Sequence, residues 1–213
     1  GAGVIGVKVL GSSGSGRVSS VIKGVNWVIS KERRRSVVMN LSLGGSANSG
    51  LDSVILSASK KGHLVTVAAG NLNADACRYS PGRSGGNAIN TGIFNVGATQ
   101  IRDEKAYYSN WGTCVDIMAP GTNVLSASHR SNSGVVPKTG TSMAAPHVAG
   151  VLATLLEKHD GNNKKASKEL LEIATAGVLS GIQRSTPNLL LRAVFGHANT
   201  PCPTLPLPKF CRQ

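Results

Sequence analysis

Short apolar runs alternate with amphipathic stretches in the first part of the chain. VIGVKVL lies within residues 1–10, a helical pattern covers 18–29, SVVMNLSL follows, a second helical pattern covers 51–60, and HLVTVAAG ends at Gly70. The runs are apolar at successive positions rather than at alternate ones, which is how strands read when both faces are covered. Strand and helix in alternation predict βαβ units, and so an α/β protein of three layers: a mostly parallel sheet with helices on both faces. Past Asn71 the regularity lapses into a loop rich in Gly, Asn and Ser that runs to about residue 90. Then come strands near FNVGA and CVDIMAP, a hairpin around TNVLSAS and SGVVPKT, a helix opening near Ser142 and another over 165–176. A Pro- and Cys-containing tail, 197–213, follows a domain expected to span 1–196, and no internal repeat is evident.

Composition narrows this picture. Of 213 residues 40% are hydrophobic but only 4% aromatic, so the core must be built from Val, Leu, Ile and Ala, with 26 glycines allowing close backbone approach. The net charge of +13 suggests an anionic partner, yet its only run is Arg33, Arg34 and Arg35, and Lys158, Lys164, Lys165 and Lys168 are spread over a helical surface. Solvated faces explain such scatter better than a nucleic-acid interface does, so no nucleic-acid partner is expected. No run of about 18 apolar residues is present, so no membrane span is expected. Gly1 opens directly on the first apolar run, and the expectation is that sequence has been removed upstream. Four cysteines, Cys77, Cys114, Cys202 and Cys211, lack CxxC spacing. Disulfides in an oxidising compartment and buried free thiols both remain open on composition.

Three stretches could carry chemistry. GSSGSG, residues 11–16, sits between strand and helix but has neither the glycine spacing of a dinucleotide fingerprint nor the lysine of a phosphate loop. It reads as an exposed strand end. SLGG (Ser42, Leu43, Gly44, Gly45) and AAGN (Ala68, Ala69, Gly70, Asn71) end strands at the carboxyl edge of the sheet, where open α/β folds bind ligands. Small residues there predict a groove in which an extended peptide adds by its backbone. Asn71 brings an amide donor to that edge, for an oxyanion or simply for a turn. KTGTSMAAPHVAG then places Ser142 before a stretch suited to a helix buried on most sides. Pro146 is tolerated only near a helix start, so the hydroxyl falls at an amino end whose N–H groups favour developing negative charge. Capping by Ser142 or Thr141 is the plainer alternative. His147, five residues on, is turned roughly 140° from Ser142 at about 100° per residue. It is expected to pack elsewhere and not to serve as the base.

These residues resemble subtilisin-like serine proteases. GTSMAAPHVAG resembles the family's nucleophile motif, and SLGG, AAGN, YSNWG, VDIMAPG and TPNLLL follow the family's order over about residues 4–192. The resemblance implies that Ser142 is the acylating nucleophile and Asn71 the oxyanion-hole amide. It makes Gly14, Ser15 and Gly16, with Ser42, Leu43, Gly44 and Gly45, the two strands that hold the substrate peptide. Ala68, Ala69 and Gly70 flank the pocket for the residue before the cleaved bond. DACRYSP and WGTCVDI look most like the secreted proteinase K branch, which implies a Cys77–Cys114 disulfide and, with the even count, a Cys202–Cys211 pair. Asp116 matches a calcium ligand in some of those enzymes, although the loop PGRSGGNAINTG departs from theirs. No other cofactor is implied.

The family presents its catalytic Asp and His in Asp-Ser/Thr-Gly and His-Gly-Thr-His contexts ahead of the strand that GVKVL resembles, and neither context occurs here. The resemblance therefore covers the carboxyl-terminal two-thirds of a catalytic domain truncated at its amino end. Loss of the histidine alone costs subtilisin about 2 × 10⁶ in kcat, so this chain by itself is expected to be inert. The expected function is that of a secreted serine endopeptidase acting on polypeptides once the rest of its domain is present. The rival reading is a peptide-binding pseudoprotease that kept the groove and lost catalysis.

Overall fold

The computed structural model describes residues 2–32, 37–183 and 185–193. Its central sheet runs in the order β1 (Val38–Leu41), β3 (Leu64–Ala68), β5 (Ile93–Gln100), β7 (Ile117–Pro120), β11 (Leu189–Leu190) and β10 (Thr175–Ala176). The first five of these lie parallel, and β10 closes antiparallel on β11. A short β6 (Glu104–Lys105) folds back on the end of β5, while β2 (Gly45–Ser46) pairs with β4 (Tyr79–Ser80) and β8 (Val124–Ala127) with β9 (Val135–Lys138). Every residue of β3 is buried, and every residue of β5 but the last. That matches strands covered on both faces.

Two helical layers do the covering. On one face α1 (Val18–Lys31) and α2 (Ser49–Lys60) set Val21, Val25, Leu51 and Ile55 against Met39, Val65 and Val67. On the other, α4 (Thr141–Lys158) and α5 (Asn163–Ile173) pack Ala145, Val148, Leu152 and Leu170 against Leu64, Phe94 and Val96. Ile55, Phe94 and Leu152 are wholly inaccessible, and burial of each such side chain contributes about 1.5–3 kcal/mol. The one-turn α3 (Ala88–Thr91) leads into β5.

Two expectations are corrected and one is met. The run over residues 1–10 forms no strand: residues 2–9 join no ladder, and Val4 and Ile5 are 96% and 64% exposed. Strand propensity needs a neighbour, and this segment instead lays Val9 on Gly24 of α1, while among the described residues β1 pairs only with β3. The helix at Ser142 is buried on most sides as expected, with Pro146, His147, Gly150 and Thr154 on one exposed stripe of about 120°. Helix α5 begins at Asn163 and stops at Ile173, so Thr175 and Ala176 are strand rather than helix. The lysines of α4 and α5 are surface groups, with Lys158 2.6 Å from Glu169 and Lys168 3.4 Å from Glu172. The arginine run 33–35 and the tail with Cys202 and Cys211 lie outside the described residues.

Candidate active site

Helix α4 opens against two strand ends, and its sequence dictates how. Pro146 has no N–H to give the carbonyl four residues back, so Ser142 O lacks its helical donor. The Ser42 hydroxyl fills the gap, donating to Ser142 O at 2.7 Å, while the Ser142 hydroxyl donates in return to Ser42 O at 3.3 Å. The proline thus couples the start of α4 to the turn after β1.

The first helical N–H groups also need acceptors. Neither Ser142 nor Thr141 caps the helix by its own side chain. Instead Asn71, beyond β3, accepts from both Thr141 N and Thr141 Oγ1 at 2.9 Å, and Thr141 Oγ1 accepts from Gly70 N at 3.1 Å. With Oδ1 committed, the Asn71 Nδ2 group faces Gly140, whose φ of +151° suits glycine. A Cβ placed on Gly140 would lie 3.3 Å from Asn71 Nδ2 and 3.7 Å from Ser142 N, so the two donors flank one small space beside the serine. Gly140 is held in turn by donating its N–H to Gly121 O at 2.8 Å.

The loop that carries Asn71 is fixed by Asn110, which is fully buried. Its Oδ1 accepts from Leu72 N at 3.0 Å and Ala74 N at 3.1 Å, its Nδ2 donates to Ala69 O at 2.8 Å, and its own N–H donates to Gly70 O at 2.9 Å. Gly70, at φ +106°, could carry no side chain there, since a Cβ would collide with the Asn110 amide. The Lys105 ammonium adds Asn73 Oδ1 at 3.3 Å and the carbonyls of Ala106 and Ser109 at 3.1 Å, and burial lowers its pKa. The sequence offered no sign of the role of Asn110 or of the bond between Thr141 and Asn71, although both residues sit inside the motifs YSNWG and GTSMAAPHVAG.

Among the expected site residues, the structure brings Ser42, Gly70, Asn71 and Ser142 together with Thr141 through these bonds. Ala68 and Ala69 are buried beside them, and Gly44 lies over Ser80 and Pro81. Gly14, Ser15 and Gly16 form a separate exposed turn, closed by Gly11 N donating to Ser15 O at 2.9 Å. His147 points away as expected, its Nδ1 2.8 Å from Met143 O, but it is exposed rather than packed.

Cys77 and Cys114 are bonded, with Cα atoms 5.3 Å apart. Asp116 stands beneath that bridge, 7% exposed. Its carboxylate accepts from Gly86 N at 3.0 Å, Ala88 N at 3.1 Å and Asn95 N at 2.8 Å; burial pushes its pKa up to about 6 against the pull of these bonds. A calcium ion needs oxygen ligands. The Asp116 oxygens are instead turned to N–H donors, an arrangement unlike a calcium ligand's.

An α/β sheet with a serine at a helix start, an amide donor beside it and small-residue strand ends is the arrangement that the family resemblance implies. Residues 1–196 match the family model described as Peptidase_S8, Subtilase family. The chain belongs to the subtilase family. It is 41% identical to subtilisin-like serine protease Pen c 2 of Penicillium citrinum over 93% of this chain and 47% of that protein. It is 42% identical to an extracellular serine proteinase of Thermus sp. (strain Rt41A) over 89% of this chain and 45% of that protein. The crystal structure of a cold adapted subtilisin-like serine proteinase superposes with a TM-score of 0.80 at 40% identity, covering 88% of this chain and 66% of that one. The chain thus spans less than half the length of these two relatives and about two-thirds of the solved structure.

Proposed function

We propose that these residues are the carboxyl-terminal two-thirds of the catalytic domain of a secreted serine endopeptidase. The observation that carries this is the pair of donors flanking one space beside Ser142, with Asn71 locked in place by Thr141. Ser142 Oγ attacks the scissile carbonyl, and the oxyanion that forms takes hydrogen bonds from Asn71 Nδ2 and Ser142 N. Collapse expels the amine, leaving an acyl ester on Ser142 that water hydrolyses. The substrate chain lies extended along residues 42–45, with the side chain before the cleaved bond against residues 68–70.

The hydroxyl now rests on Ser42 O at a long 3.3 Å, from which it can swing to a base. His147 is held on Met143 O, so the base and its orienting carboxylate come from sequence outside these residues. Among the described residues no strand pairs with the outer edge of β1, and such sequence would dock there. The Cys77–Cys114 bridge and the extracellular naming of one relative support secretion. The test is fluorophosphonate labelling and hydrolysis of a chromogenic peptide. The isolated 213 residues should do neither; joined to a segment bearing the family's Asp and His contexts they should do both, and Ser142→Ala should abolish both. Ser142-dependent hydrolysis by the isolated residues would defeat the proposal.

A further inference from the structure

At the amino end of the sheet, opposite the serine, His63 precedes β3 and is 2% exposed, yet neither Nδ1 nor Nε2 has a hydrogen-bond partner. The Ser167 hydroxyl on α5, 1% exposed, also has none, and Asn163 uses Nδ2 on Gly62 O at 2.7 Å while its Oδ1 is free. Buried polar groups are nearly always paired, so three unpaired ones in one place call for an occupant. All three line a single recess of about 390 Å³ between the last turns of α2 and α3 and the first turns of α5. That volume is within the range of small-ligand pockets.

The lining gives the chemistry. Leu56, Leu64 and Ile89 make an apolar wall, Lys60 and Lys164 stand at the rim, and among the described residues no carboxylate lines the recess. Burial lowers the His63 pKa against the pull of the Glu32 carboxylate, so the ring enters as a neutral imidazole with one N–H to give. The Ser167 hydroxyl can give another. Two neutral donors, two ammonium groups and the amino end of an eleven-residue helix all favour an anion. The apolar wall, which water or inorganic phosphate leaves unused, calls for a hydrocarbon portion.

We propose that this recess is a second binding site, remote from the serine, for a small carboxylate with an apolar tail. The carboxylate accepts from the His63 ring and the Ser167 hydroxyl near Lys164, and the tail lies on Leu56 and Ile89.

The test titrates the intact protein, with whatever sequence flanks these residues, with hexanoate, hexanamide and inorganic phosphate, following the Ile89 and Leu64 methyl resonances. Hexanoate should give a saturable shift, and hexanamide should bind about tenfold more weakly for want of charge. Lys164→Gln, an exposed change, should weaken hexanoate several-fold and leave hexanamide unaffected. His63→Leu, checked for an unchanged melting temperature, should abolish hexanoate binding. The proposal is overturned by the absence of a saturable hexanoate shift, by equal affinity for hexanamide, by phosphate binding in preference to hexanoate, or by hexanoate affinity that survives in both variants.

Discussion

The two ends of the parallel sheet treat their buried polar groups in opposite ways. At the carboxyl end the buried Asn110 and Thr141 are bonded to backbone from other segments, Asn110 to Leu72 N and Ala74 N and Thr141 to Gly70 N, 36 to 71 positions away. At the amino end His63 and Ser167 are buried as deeply and bonded to nothing. The same fold therefore spends hydrogen bonds where donors must be held still, and leaves them open where a recess lies. A chain that merely needed to be stable would satisfy both ends alike.

The largest effect should come from breaking the well-bonded end at its nucleophile and at its side-chain donor. In the active, complete domain, Ser142→Ala should lower kcat by about 10⁶. Asn71→Ala should lower it by about 10²–10³, with KM little changed, because that amide acts on the oxyanion and not on the bound substrate. If Asn71→Ala raised KM and spared kcat, the space beside Gly140 would not be the oxyanion site.

Next in size is the bracket beneath. Asn110→Ala removes the partner of Leu72 N, Ala74 N and Ala69 O, and each stranded group costs about 1 kcal/mol or more, roughly 3 kcal/mol together. Thermal melting should register this as a fall of about 6–12 °C, and kcat should fall as well, since the loop it frees carries Asn71. Asp116→Ala strands the N–H groups of Gly86, Ala88 and Asn95 and should cost a similar amount, but leave kcat close to its original value. Equal losses of kcat in the two variants would mean that stability, and not the placement of Asn71, sets the rate.

How far the sequence revealed these two ends follows from the range of the interactions. The strands β3 and β5 were legible because burial on both faces writes apolar residues at successive positions, interrupted only by a few small or polar ones such as Thr66 and Asn95. Ser142 and Asn71 were legible as motif residues, and Pro146 located the helix start to within one turn. The bracket of Asn110 was not, because nothing local tells a buried asparagine which loop, 36 or 38 positions away, it will hold. Residues 2–9 read as strand, and the local pattern is right, but a strand exists only where a neighbour supplies a ladder. His63 read as the first residue of a strand; what buries it is α5, which begins 100 positions later at Asn163.

The smallest effect is expected at the unbonded end, in the protein without any added ligand. Because burial depresses the His63 pKa below the ordinary 6.5 of a histidine, the unfolded chain takes up a proton there more readily than the folded one. The contribution of His63 to stability is therefore complete above pH 6.5 and is lost as pH falls below it toward the folded-state pKa. His63→Leu removes both this dependence and two unpaired ring nitrogens while keeping an apolar side chain against Leu64. Its melting temperature at pH 7.5 should be within a few degrees of the parent's. At pH 5 the difference should move in the variant's favour, as the parent alone pays to protonate or expel the ring. A gap that stayed constant between the two pH values would show that the ring is already solvated or partnered, and would erase the contrast between the two ends of the sheet.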